Sequence, residues 1–123
     1  MPNDIYQNEF TSKFSSQLHL LKKQFISNLE KKEQDLESII AKVSLSGLQT
    51  PILSDLFTIV HNLAGTAPMH GFHEVAKQAA SIEELISGAL RPPHNQISDM
   101  KLMLAIDDLS ELIRTALDAR DHL

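Results

Sequence analysis

Apolar residues recur along this chain at steps of three and four, and nowhere in alternation. Over the first third, Phe10, Phe14, Leu18, Leu21, Phe25, Leu29, Leu36, Ile39, Ile40 and Val43 keep that rhythm, which puts them on one face of a helix. The pattern predicts one long amphipathic helix over most of residues 5 to 43, opened by a capping-box pair, Asp4 and Gln7. TSKFSS at 11–16 is where a break in so long a pattern is expected. SLSG at 44–47 ends the helix. Thr50 and Pro51 then read as N-cap and first position of a second helix, because the N–H that proline lacks would find no partner there. Its buried stripe is Leu53, Leu56, Val60, Leu63 and Ala67, widened by Ile52 and Ile59, and Pro68 stops it. A third helix from near Gly71 buries Phe72, Val75, Ala76, Ala79, Ile82, Ile86 and Ala89. RPPHNQ at 91–96 reads as a loop, since adjacent prolines do not fit a helix interior. A fourth helix from about Ile97 carries Leu102, Ile106, Leu109, Ile113 and Ala116.

Four amphipathic helices on short loops bury their stripes against one another. The expected fold is therefore all-α, an antiparallel up-and-down four-helix bundle. A length of 123 residues suits one core, so residues 1–123 are expected to form a single domain. The starting Met and the full bundle length point to a stand-alone protein. This describes a fold, and such bundles host many functions.

Composition removes several classes. The formal charge of −5 leaves no basic surface for nucleic acid or anionic lipid, so neither nucleic acid nor membrane is an expected partner. The Lys22–Lys23 and Lys31–Lys32 pairs read as solvated helix face. No apolar run is long enough to span a bilayer, and MPNDIYQNEF lacks the basic and apolar regions of a signal peptide. The chain contains no cysteine, which excludes thiolate chemistry and fits a cytoplasmic location.

Three of the six histidines, His61, His70 and His73, crowd around Gly65, Pro68 and Gly71. On the second helix's wheel His61 lies roughly 140° from the stripe, on the outer side with Thr58 and Gly65. A buried structural histidine would sit on the stripe instead. Gly65, one turn on from His61, costs a helix interior about 1 kcal/mol relative to alanine. With the small Ala64 beside it, that glycine keeps space open around the ring. Such a histidine suits close approach by another macromolecule, or the attachment of a bulky group.

The run His61-Asn62-Leu63-Ala64-Gly65-Thr66-Ala67, with Gly71, Phe72 and Val75 after it and Ala79, Ile82 and Glu83 further on, resembles the signature of histidine-containing phosphotransfer (HPt) domains. The resemblance spans residues 61 to 83. The family pattern is His-x-Leu-Lys-Gly-Ser-Ala, a second glycine six residues beyond the first, and a Leu-Glu pair on the next helix. It implies an HPt-like bundle acting as a phosphorelay intermediate in two-component signal transduction. His61 would accept a phosphoryl group from a receiver aspartate or a kinase and pass it to a receiver aspartate. The partners implied are the receiver domain of a response regulator, a hybrid histidine kinase, or both. The resemblance implies a carrier without kinase activity of its own and no cofactor, with metal and most transition-state stabilisation in the partner's acidic pocket. Gly65 and Glu83 would support the histidine, Glu83 by bonding its ring and holding the tautomer. Level-matching across the corner puts residues nearer Lys77 opposite His61, so the motif favours Glu83 while the geometry does not decide, and Glu83 stays open as a boundary salt-bridge residue.

Two positions depart from the family. Its lysine three residues after the histidine is Ala64 here. That change leaves open a slower or less stable phosphohistidine, a cation from the partner, or a degenerate module that docks receiver or kinase domains without efficient transfer. Lys77 lies opposite the core stripe of its helix, which argues against its compensating. His70 replaces an apolar residue, with Met69 expected to take over the packing. A weaker reading is a metal-dependent enzyme built on His61, His70, His73 and Glu74; two histidines three apart can share a helix face, but no third ligand is fixed. By default His73 reads as surface-polar, as do His19, His94 and His122. Docking needs exposed apolar groups around His61, and Phe57, Ile5, Tyr6 and Phe10 are the candidates.

Overall fold

A computed structural model describes residues 2–90 and 98–121, with side chains from residue 11 to 90 and 98 to 119. The capping pair Asp4–Gln7, the docking candidates Ile5, Tyr6 and Phe10, the loop at 91–96 with His94, the start at Ile97, and His122 lie outside these described side chains and residues. Among the described residues four helices follow one another: α1, Pro2–Ser46; α2, Thr50–Thr66; α3, His73–Leu90; and α4, Asp99–Asp121. A single 3-10 turn, Ala67–His70, joins α2 to the corner before α3. Each helix packs on its neighbours in the chain, and α4 closes the ring against α1. Glu33 of α1 meets Ser110 and Arg114 of α4, while Gly47 lies against Asp99, so this pair runs in opposite directions.

The core is a single apolar cluster to which all four helices contribute. Leu29 and Leu36 of α1, Leu56, Val60 and Leu63 of α2, Ala79, Ile82 and Ile86 of α3, and Leu102, Ile106, Leu109 and Ile113 of α4 are all fully buried. These are the positions that the three- and four-residue spacing selects. Ile40, Leu53, Phe72, Ala89 and Ala116, also expected inside, are only partly buried.

The first turns of α1 differ from expectation. The helix runs unbroken through TSKFSS, yet Phe14, Leu18 and Leu21 are about half exposed (53%, 50% and 54%). At ~1.5 Å per residue α1 is some 65 Å long and α2 only about 26 Å, so α1 outruns its partners. Phe25 marks the end of the shared core, packing on Phe72 with ring centroids 5.4 Å apart. Beyond it the apolar face continues past the ends of the other three helices described and is about half exposed.

The helix ends follow from local chemistry. Gly47, at φ 76°, takes the left-handed conformation that terminates α1, and its N–H donates to the Val43 carbonyl at 2.9 Å. The N-cap of α2 is Gln49, so Thr50 and Pro51 sit one position further in than expected, and no side chain caps this end. Ser98 precedes α4 and accepts the Lys101 N–H through its hydroxyl at 3.4 Å. α2 ends at Thr66, just before Pro68 as expected, but a 3-10 turn continues the helical path. Pro68 sits in the first turn of the 3-10 segment, where a missing N–H breaks nothing.

Candidate functional site

The corner between α2 and α3 determines which side chains meet on the outer surface. The 3-10 turn carries the chain on along the α2 axis for four more residues before Gly71, at φ 85°, reverses it. Gly71 donates to the Ala67 and Pro68 carbonyls from a conformation that costs any other residue steric energy. Counting that turn at ~2 Å per residue, His61 and Glu83 each lie about 15 Å from the corner. Level-matching that ends α2 at Pro68 misses this advance and puts residues nearer Lys77 opposite His61. In the structure Lys77 is exposed, and Glu83 faces His61.

His61 is on the surface, with its side chain 69% exposed, and Glu83 beside it is 25% exposed. The His61 Nδ1 and Glu83 Oε1 are 2.6 Å apart. An ionised carboxylate only accepts, so Nδ1 carries the proton and donates it to Glu83. In a neutral ring the lone pair then resides on Nε2. Phe57, one turn earlier, stacks almost parallel to the imidazole, with centroids 5.7 Å apart and planes 9° apart. The ring is held on one edge by a carboxylate and on one face by an arene. A Cβ built on Gly65 would meet nothing within 4 Å, so the space beside the ring is open. Ala64 is half-buried against the core cluster and contributes no polar group.

On its other flank α2 is held by α1. The Lys32 ammonium donates to the Asn62 amide oxygen, beside His61 in the chain. Burial pushes the Lys32 pKa below the ordinary lysine value, and the nearby Asp35 carboxylate opposes that shift. The sequence pattern assigned Lys31–Lys32 to solvated face and missed this contact. The one available signal was Lys32 falling between the core positions Leu29 and Leu36, three residues on from the first and four before the second.

The other histidines do not join the site. His70 stacks on Phe25 with centroids 4.4 Å apart and an interplanar angle of 20°. Met69, expected to supply that packing, is 79% exposed. The imidazole wins because a flat ring stacks on a flat ring, and Met69 falls on the outer side of the turn. His73 and Glu74 are exposed at the start of α3. Among the described residues no three His, Asp or Glu side chains converge as metal ligands, so His61, His70, His73 and Glu74 are not brought together. No helix among them is long and apolar enough to cross a membrane.

A family model described as the Hpt domain matches residues 20–121. No curated protein and no solved structure matches the chain. The matched span takes in all of α2, the corner, α3 and α4, with the part of α1 that enters the core. The chain belongs to the Hpt domain family, whose members act as phosphoryl carriers in histidine phosphorelay signalling.

Proposed function

We propose that this chain carries a phosphoryl group on Nε2 of His61, taken from a phosphorylated aspartate of a receiver domain or from a histidine kinase and passed to a receiver aspartate. The observation that carries this reading is the pairing of an exposed His61 with Glu83 through Nδ1 at 2.6 Å. That bond leaves Nε2 as the nucleophile. Its lone pair attacks phosphorus in line with the acyl phosphate; the N–P bond forms, the P–O bond breaks, and the aspartate departs as carboxylate. The ring becomes cationic, and Glu83 stabilises the charge by accepting the Nδ1–H. The reverse sequence discharges the group. In a loose phosphoryl-transfer transition state the carrier's contribution is mainly the placement and protonation state of the nucleophile.

Incubation with a phosphorylated receiver, followed by assay for acid-labile and base-stable label, tests the proposal. Label is expected on the wild type and absent from His61→Gln. Label persisting in H61Q overturns the assignment of the site. Binding without label identifies the chain as the docking module that Ala64 raises as the alternative. Residues 1–123 are proposed to form a single domain, since all four helices feed one core.

A further inference from the structure

Helix α2 carries no lysine or arginine, so no cation on its own helix faces a group attached to His61. A cation of α1, Lys32, bonds Asn62, the residue next to His61. Relative to the stripe Leu56–Val60–Leu63–Ala67, His61 and Asn62 flank the outward direction of α2 on opposite sides, about 100° apart. Gly65 falls between them, one turn further on. Glu83 occupies the His61 flank, and Lys32 occupies the Asn62 flank. On the outward face between the two, Thr58 one turn before bonds back to the Ser54 carbonyl, and one turn after lies the bare backbone of Gly65, where even a methyl group would touch nothing within 4 Å. Lys32 is partly desolvated and its hydrogen-bond partner is a neutral amide, while the Asp35 carboxylate nearby offsets only part of the effect of burial. An ammonium that has already lost part of its water gives up less when it binds an anion. A phosphoryl oxygen is a stronger acceptor for it than an amide oxygen.

We propose that Lys32 of α1 binds the phosphoryl group once His61 carries it, reaching across the gap over Gly65. This rests on the reading of His61 as the phosphoryl carrier. No covalent bond changes at Lys32: the ammonium moves a hydrogen bond from the Asn62 oxygen to a phosphoryl oxygen. Its effect has a definite sign. Hydrolysis through a loose transition state withdraws negative charge from the phosphoryl oxygens. A cation there stabilises the phosphohistidine more than the transition state, and so lengthens its lifetime.

The test labels the full chain with phosphoramidate, a small phosphodonor that needs no partner, and follows loss of phosphohistidine by phosphorus NMR. Lys32→Gln is expected to shorten the lifetime about three- to tenfold, the effect of one partly screened charge at close range. Lys32→Arg keeps the charge and should restore most of it, which loss of α1 packing alone would not allow. In the wild type, raising salt from about 0.05 to about 0.5 M should move the lifetime toward that of K32Q. An unchanged lifetime in K32Q, or a K32R variant as short-lived as K32Q, overturns the role of Lys32 and leaves the carrier reading intact. A wild type that takes no label at His61 overturns the carrier reading and the role of Lys32 with it.

Discussion

At His61 the question of chemistry reduces to which ring nitrogen is free, and Glu83 decides it. Hydrogen bonds to charged groups contribute about 1.5–3 kcal/mol, and exposure puts this one at the lower end. Glu83→Gln keeps the size of the side chain but removes its charge, and is expected to slow phosphotransfer about tenfold. The slowing should appear in single-turnover rates with a phosphorylated receiver; rates within twofold of wild type would count against the tautomer argument. Gly65 gives a sharper test, because its two candidate roles predict opposite signs. Nothing in the fold occupies the space a Cβ would take. Gly65→Ala should therefore raise stability by about 0.5–1 kcal/mol through helix propensity, seen as a higher melting temperature. If the gap serves the phosphoryl group or the docking partner, transfer should fall in the same variant. A variant both more stable and fully active would show that the glycine has no functional role.

At the scale of elements, the corner after α2 is the device that brings Glu83 level with His61. It depends on Gly71, whose φ of 85° is strained for any residue with a Cβ. Gly71→Ala is expected to lower stability by about 1–2 kcal/mol, measurable by urea denaturation, although open space surrounds the site. An unchanged midpoint would mean that the corner relaxes freely. The first stretch of α1 makes the opposite point. Phe14, Leu18 and Leu21 continue the spacing of Phe25 and Leu29, yet they bury little because α2, α3 and α4 end near the level of Phe25. Removing residues 1–19 should cost helical circular-dichroism signal but shift the unfolding midpoint by only about 0.5 kcal/mol or less. A collapse of the midpoint would show that this face is covered within the chain.

Across the whole molecule, polar contacts among the described residues join each neighbouring pair of helices. Lys32–Asn62 joins α1 to α2, His61–Glu83 joins α2 to α3, Gln78 to the Ala105 carbonyl joins α3 to α4, and Glu33 with Ser110 and Arg114 joins α4 to α1. Two of these four surround the candidate site, and the last acts on stability. Burial, and then the neighbouring Glu37, push the Glu33 carboxyl above the usual carboxylate range, against the pull of Arg114. The folded chain therefore holds this proton more tightly than the unfolded one. The resulting stabilisation is full below the unfolded value and is lost as pH rises through the folded value. Glutamine mimics the protonated form at every pH. The melting temperature of Glu33→Gln relative to wild type should therefore be highest near neutral pH and should decline as the pH is lowered toward about 4. A difference that stays constant, or grows on acidification, would reverse the sign assigned to Glu33.

Much of this protein is decided by short-range periodicity. The spacing of Leu29, Leu36, Leu56, Val60, Leu63, Ile82, Ile86, Ile106 and Ile113 determines four helices and the face each one buries, because 3.6 residues per turn is a local property of the backbone. The same wheel turns His61 outward, and the fixed spacing from His61 to Glu83 carries the family. Periodicity reports a face without its occupant, which is why Phe14 and Leu18 read as core until the lengths of the other helices are known. It is also silent on contacts between helices. The pairing of Glu83 rather than Lys77 with His61 depends on the extra advance of the 3-10 turn. His70 packs on Phe25 in place of Met69 because the corner turns one ring onto another. Lys32 reaches Asn62 only because α1 lies along α2. Residues 30 positions apart acquire a common chemistry when the core draws their helices together, and only the tertiary structure decides that.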